Sequence, residues 1–266
     1  MRFRRHGTDV TAVTIHISSA EGNSSASIEI ADVPRSDGFP RITSSDPDVV
    51  SVDGIPRVRA VGNFSFYLSA LATTSGSGAV TVTAATRSGV QATLRVVVDA
   101  AIELPDPATE AGAVARLLMS EARGPSHADY LAADTLDSMG WMQRVLENRL
   151  ANDPSRFGAR GARNLIDIIR AANQFDGFSD YPSYDQGVRR RLQQMVNIAN
   201  NDNDRMQPDF RIFIQNAIEV ARSRVAIRDP SPTGLFGWRA AGAGSPGPRF
   251  ARFRTLAGNT FFTLRS

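Results

Sequence analysis

Leu117-Leu-Met-Ser-Glu-Ala-Arg-Gly-Pro-Ser126 opens the informative core of this 266-residue chain, which runs through Trp141-Met-Gln-Arg-Val-Leu-Glu-Asn-Arg149 to Asn173-Gln-Phe-Asp-Gly-Phe178. Val114, Leu117 and Leu118 are spaced three and four apart and mark the apolar face of a helix. Glu121 falls at the C-terminal end of that face, and Gly124-Pro125 is expected to stop the helix. A carboxyl on the buried side of a helix end is partly desolvated. Desolvation disfavours the anion and raises the pKa, which is the state a general acid needs near neutral pH. Most glutamates near helix ends are solvated or paired. What singles out Glu121 is the company it keeps.

C-terminal to this helix the pattern stays helical. Leu136, Met139, Met142, Val145, Leu146 and Leu150 form one stripe, and Leu165, Ile166, Ile169 and Ala172 a second. Val188, Leu192, Met195, Val196 and Ala199 form a third, stopped by Asn200-Asn-Asp-Asn-Asp204, which reads as a solvated helix end. Phe210, Phe213, Ile214, Ala217, Ile218 and Ala221 form a fourth, with Pro208 near its first turn. Five helices with narrow apolar stripes predict one compact α-domain. Asp229-Pro-Ser-Pro-Thr-Gly234 and Ala240 to Pro248 are too rich in Gly and Pro for regular elements. The aromatics around them, Trp238 and Phe261 among them, are expected to wrap the domain or wall a cleft.

N-terminal to the core the pattern changes to short alternating runs: Val10 to Ile17, Ala26 to Ile30, Val49 to Val52, Arg57 to Val61, Phe64 to Leu71, Ala79 to Thr83 and Gln91 to Val98. Polar and glycine-rich clusters separate them, so about seven strands of a β-sandwich are predicted over residues 1–101. Leu104-Pro-Asp-Pro107 has the stiff, polar composition of a linker, and the second domain is placed at 108–266.

Composition narrows the function classes. No cysteine is present, which removes disulfides, thiolate metal sites and cysteine nucleophiles. The basic residues are all arginine, yet the net charge is only +3, and no basic stripe is interleaved with aromatics. Nucleic acid is therefore not the expected partner. Neither a metal nor a cofactor is expected. No run of apolar residues is long enough for a membrane span, so no membrane insertion is expected. Met1-Arg-Phe-Arg-Arg-His-Gly-Thr-Asp-Val10 has charge but no apolar stretch after it, and so does not read as a secretory signal. His6 and His16 are too isolated for a metal site.

Two resemblances join these readings. Ser44 to Asp53, Val58-Arg-Ala-Val-Gly62 and Ala79-Val-Thr-Val-Thr83 together resemble bacterial immunoglobulin-like domains of group 2. The resemblance implies a spacer or adhesive module with no catalytic residues. The second half resembles the lysozyme-like cell-wall hydrolase family typified by the spore-cortex-lytic enzyme SleB. Four blocks carry it in order: Ser120-Glu-Ala-Arg-Gly124, Met142 to Arg149, Gln174-Phe175, and Asp229 to Gly234 with Trp238 and Gly258-Asn-Thr-Phe261. Pro125 stands where the family has a further acid, and Thr260 where it has a histidine. The stretch from Pro125 to Leu136 resembles an insertion.

The expected architecture is thus multidomain: an N-terminal all-β immunoglobulin-like sandwich and a C-terminal, mainly α, lysozyme-like domain. The second resemblance implies cleavage of the peptidoglycan glycan strand between N-acetylmuramic acid and N-acetylglucosamine, by a lytic transglycosylase or a muramidase. Glu121 matches the catalytic acid. Gln174, Phe175, Tyr181 and Asn259 are the candidate substrate contacts. Gln174 reads equally well as a helix-capping loop residue, and Phe175, Phe178, Tyr181 and Tyr184 as core aromatics. Asn148 and Arg149 read as structural. No paired acid is evident by motif, which favours a one-carboxyl transglycosylase. Asp176 and Asp180 are the alternatives for a second acid. The expected setting is the periplasm or wall, reached through a secretion machine or a phage, as an antibacterial effector or lysis protein would be. An immunity or inhibitor protein is the corresponding partner. The competing reading is a non-catalytic wall-binding or structural component of a phage or appendage.

Overall fold

The structure, a computed structural model, describes residues 1–17, 23–55, 62–71, 79–225 and 228–265. It divides into two compact units. One comprises Met1–Ile102 with Asn200–Gln207, the other Glu103–Ala199 with Pro208–Ser266.

The first unit is all strand. β1 (Arg2–Arg5), β2 (Thr8–Asp9), β4 (Asn23–Ala31), β6 (Val50–Asp53) and β7 (Phe64–Leu71) form one sheet in the order β2-β1-β4-β7-β6. β3 (Ala12–Ile17), β5 (Arg41–Ser44), β8 (Ala79–Ala85) and β9 (Gln91–Ala100) form another, ordered β3-β9-β8-β5, in which β3 runs parallel to β9. Period-two alternation explains the burial. Phe64, Phe66, Leu68 and Ala70 of β7 point inward, as do Val80, Val82 and Ala84 of β8. With Ile28 and Ile30 of β4 and Leu94 and Val96 of β9 they make one core shared by the two sheets. The strand expected at Arg57 to Val61 lies outside the described residues. β1, β2 and β5 were not expected; none exceeds four residues.

The polar run Asn200 to Asp204 corrects the reading of a solvated helix end. Asp202 is 1% exposed. Its carboxylate accepts hydrogen bonds from the His16 backbone N–H at 2.7 Å and from Ser24 Oγ at 3.2 Å, and lies 2.6 Å from His16 Nδ1. Arg5 donates to its carbonyl oxygen. Asn203 Oδ1 takes the Ser27 N–H at 2.7 Å, and the Asn200 side chain brackets Ile102 through that residue's N–H and C=O. The segment therefore belongs to the β-unit because buried backbone and histidine donors need its acceptors.

The second unit is built round α1 (Glu110–Glu121). Thr109 caps its start by accepting the Gly112 N–H at 3.0 Å. Eight consecutive residues, Gly112 to Met119, are buried, so α1 is a central helix enclosed on all sides rather than an amphipathic one. α2 (Ala132–Ala151), α3 (Leu165–Ile169) and α4 (Gln186–Ala199) pack against it, and α5 (Gln207–Ala221) follows. The stretch 104–107 is no free linker. Buried Arg116 donates to Pro105 O at 2.7 Å, and Tyr181 Oη donates to Pro107 O at 2.7 Å.

Asp229 to Gly234 and 241–248 carry no helix or strand, as their Gly and Pro content predicts, but the chain around them forms a sheet that was not expected. β10 (Gly237–Ala240), β11 (Phe250–Leu256) and β12 (Asn259–Leu264) form an antiparallel sheet with β12 in the middle. It packs on α2, where Trp141 meets Phe261 edge-on at 5.1 Å. Among the described residues no helix is long and apolar enough to cross a membrane.

Asp202→Ala leaves the buried His16 backbone N–H without its acceptor, although His16 Nδ1 keeps a contact to Gln207 Nε2 at 3.0 Å. It is expected to destabilise the chain by about 3 kcal/mol, and Asp202→Asn by less, because an amide oxygen still accepts. Urea unfolding followed by circular dichroism measures both; an unshifted transition for Asp202→Ala would show that the network contributes nothing.

Candidate functional site

α1 ends at Glu121, three residues before Gly124-Pro125, because Ala122 turns to an extended conformation while its N–H still bonds Leu118 O at 2.9 Å. Glu121 is half-buried, and its Oε2 accepts a hydrogen bond from Trp238 Nε1 at 3.2 Å. Burial holds the carboxyl above the ordinary glutamate range. The Trp238 hydrogen bond and the Arg191 charge draw it back down, and the Asp176 charge pushes it up. Its place at the negative end of the α1 dipole also disfavours the anion.

Trp238 is itself fixed from several directions. It stacks on Phe175 with ring centroids 5.2 Å apart and 26° between planes. In β10 it pairs with Phe261 of β12. The chain entering β10 is shaped by Asp229, whose Oδ2 accepts from Asn148 Nδ2 at 2.7 Å and from the Leu235 N–H at 3.1 Å. Asn148 Nδ2 also donates to Leu235 O at 2.9 Å. Gly234, at φ +86°, passes so close to Asn148 and Phe236 that a side chain there would crowd both.

Arg149 ties the same segment to the Gln174 turn. It is 7% exposed and no carboxylate lies within salt-bridge distance among the described residues. Its guanidinium donates from Nε to Phe236 O at 2.7 Å and from Nη1 to Gln174 Oε1 at 2.9 Å. It lies between the rings of Phe157 and Phe175, 5.5 and 5.8 Å from their centroids. Burial lowers its pKa to about 10, so it remains a cation at neutral pH.

The Glu121, Asn148-Arg149, Gln174-Phe175 and Asp229-to-Trp238 blocks, far apart in sequence, thus meet at one place. Gly258 joins them, since a side chain there would collide with the Arg123 guanidinium. The individual candidates fare differently. Gln174 accepts from Arg149 through its oxygen, and Phe175 is 7% exposed beneath Trp238, so both support the site from behind. Tyr181 is a correction. At 1% exposure, stacked with Phe178 and Tyr184, it has no face for a sugar. Asn259 is buried at the start of β12, and its amide donates to the neighbouring Ala257 O at 3.4 Å. Thr260 bonds Thr255 across the strand pair. Asp176 and Asp180 are exposed, and of the two only Asp176 acts on the Glu121 charge.

Two roles were not legible. The partner of the Trp238 indole is fixed by a contact 117 residues away. Arg191 sits on α4, where its spacing marks only a polar face; in the structure it donates to Ser120 Oγ at 2.6 Å. No group of metal-ligating side chains occurs among the described residues. No protein-family model matches this chain, and no curated protein matches it either.

A carboxyl whose folded pKa exceeds its unfolded value gives a contribution that is full below the unfolded pKa and lost as pH rises through the folded one. Glu121→Gln keeps an acceptor for Trp238 but has no charge to desolvate. It is expected to melt above the wild type at about pH 8, with the gap closing by about pH 4. Equal melting temperatures at both pH values would contradict the desolvated carboxyl.

Arg149→Met strands two acceptors and is expected to lose about 2–4 kcal/mol. Arg149→Lys recovers little, because an ammonium cannot reproduce the planar fork between two rings. Chemical denaturation followed by tryptophan fluorescence tests both, and full rescue by lysine would show that charge alone suffices.

Proposed function

We propose that the helical unit cleaves the glycan strand of peptidoglycan, with Glu121 as general acid. The observation that carries this reading is the convergence on Glu121 of the four blocks that resemble the SleB-type cell-wall hydrolases, around a carboxyl whose pKa burial raises. Trp238 occupies Oε2, which leaves Oε1 to carry the proton. That proton passes to the glycosidic oxygen between N-acetylmuramic acid and N-acetylglucosamine as the C1–O bond breaks through an oxocarbenium-like state. The resulting Glu121 carboxylate takes the proton of the C6 hydroxyl while O6 bonds to C1, closing an anhydro ring. This sequence needs one carboxyl, returned to its starting state at the end.

A hydrolytic course needs a second carboxylate to activate water or attack C1. Asp176 is the candidate, because it is exposed and its charge reaches Glu121. We read the β-unit as an immunoglobulin-like spacer or carrier module, on the strength of two sheets closing over one core. The natural setting on this reading is the bacterial wall, and a protective inhibitor protein that covers Glu121 is the partner to seek.

Mass spectrometry of the soluble products from purified sacculi tests the reading. Anhydro-muropeptides are expected from the wild type, and Glu121→Gln should lower their rate of release by about 10²–10⁴-fold. Reducing-end products abolished in Asp176→Asn would replace the transglycosylase course with a two-acid hydrolysis. Binding to sacculi without product release would instead favour a wall-binding component.

A further inference from the structure

A cavity of about 310 Å³ opens beside the end of α1. Its polar wall is formed by Ser120, Ser126, His127, Arg191 and Gln194, and apolar side chains such as Met195 and Phe210 complete it. Ser120 and Ala122, on either side of Glu121, both line it, but Glu121 itself does not. Among the described residues lining it there is no carboxylate.

Arg191 gives this cavity its chemistry. It is exposed on α4, and one guanidinium nitrogen donates to Ser120 Oγ at 2.6 Å, which joins it to α1 along the cavity lining. A guanidinium has five N–H donors in a planar fork, so the Ser120 bond leaves capacity for an incoming carboxylate. Ser126, His127 and Gln194 add hydrogen-bonding groups around it. The apolar part of the wall suits short aliphatic side chains. A cationic fork, several polar donors and an apolar floor are what a short acidic peptide requires.

We propose that this cavity binds the carboxylate-bearing peptide stem carried by N-acetylmuramic acid, with Arg191 as the specificity-determining residue. The proposal rests on the glycan-cleaving reading of Glu121 and deepens it. The glycan would lie over Glu121, while its lactyl-linked peptide drops into the recess flanked by Ser120 and Ala122. Stem-bearing strands would then be positioned better than bare ones. The volume accommodates a few residues, so the proximal part of the stem is the ligand, not a cross-linked pair.

The experiment compares turnover of stem-bearing glycan strands with that of strands stripped of peptide by an amidase. The wild type is expected to prefer stem-bearing strands by about tenfold in kcat/KM. Arg191→Met should bring the ratio close to one, and Arg191→Lys should keep part of it. The ratio cancels the influence of Arg191 on Glu121, which acts on both substrates alike. A second arm uses Glu121→Gln, which binds without turnover. Muramyl dipeptide should bind it about tenfold more tightly than it binds the Glu121→Gln/Arg191→Met double variant, whereas N-acetylchitobiose should not distinguish the two. An unchanged preference in Arg191→Met, or muramyl dipeptide binding indifferent to Arg191, overturns the proposal. If the wild type cleaves neither strand, the glycan-cleaving reading fails, and the binding arm alone decides whether the cavity takes the peptide.

Discussion

The buried guanidinium of Arg149 is the constraint from which the rest of the helical unit's site follows. A cation taken out of water must find donors' partners and polarizable faces in protein, since an unpaired buried charge is among the most unfavourable arrangements a fold can contain. Here the compensation comes from a carbonyl in the segment before β10, an amide oxygen in the Gln174 turn, and two aromatic rings. Each partner lies in a different part of the chain. Satisfying Arg149 therefore forces the 3₁₀ turn Pro154–Phe157, the Gln174 turn and the C-terminal sheet into one arrangement. Asn148, next to it on α2, does the same for the Asp229 turn. The adjacent Asn and Arg act as a pair of anchors, and Trp238 is placed as a consequence.

What Trp238 meets is a carboxyl under opposed influences. Burial and the helix end favour its neutral form, and the Asp176 charge adds to them. The indole N–H and Arg191 favour its anion. A group wholly committed to either form could give up a proton or accept one, but not both in turn. The raising influences prevail, and on the proposed glycan-cleaving reading a carboxyl so raised suits a group that first gives up a proton and then takes one back. Its hydrogen bond makes the indole more than a packing residue. It engages Oε2 and leaves Oε1 as the oxygen that can take up a proton.

Much of this was legible in the sequence wherever one local period ruled. The helices from α1 to α5 follow apolar stripes, and most longer strands of the β-unit follow alternation. Legibility stopped where that period was broken. β11 presents Arg252, Phe253, Arg254 and Thr255 to solvent in succession, and its register shifts between Arg252 and Arg254, so it shows no alternation to read. β12 fails for the opposite reason, because four consecutive residues, Asn259 to Phe262, are buried. α1 was identified by one face although every face is enclosed. Asp202 was misread because its composition is that of a solvated turn, while its burial depends on His16, 186 residues away. At the site, Glu121 was legible as a helix-end acid beside a loop. Its partners were not, because long-range pairing leaves no local signal.

On the proposed reading, the fate of the aromatic residues bears on how a substrate would be held. The sequence offers a run of rings near Glu121 that suits sugar stacking, yet the fold spends most of them internally. Phe178 and Tyr181 are in the core, Phe175 lies under Trp238, and Phe157 stacks on Phe236 at 5.6 Å. The groups left exposed around the end of α1 are polar: Asp176 in the Gln174 turn, Arg191 and Gln194 on α4, and Ser126 and His127 in the following loop. Stacking on a ring recognises the face of a pyranose and tolerates many sugars. Hydrogen bonds and a guanidinium fork recognise substituents and charge. On the proposed glycan-cleaving reading, a site that buries its rings as scaffold and exposes its ions is suited to select a glycan by what is attached to it, and muramic acid, with its lactyl ether and peptide, is the sugar in peptidoglycan that bears such an attachment.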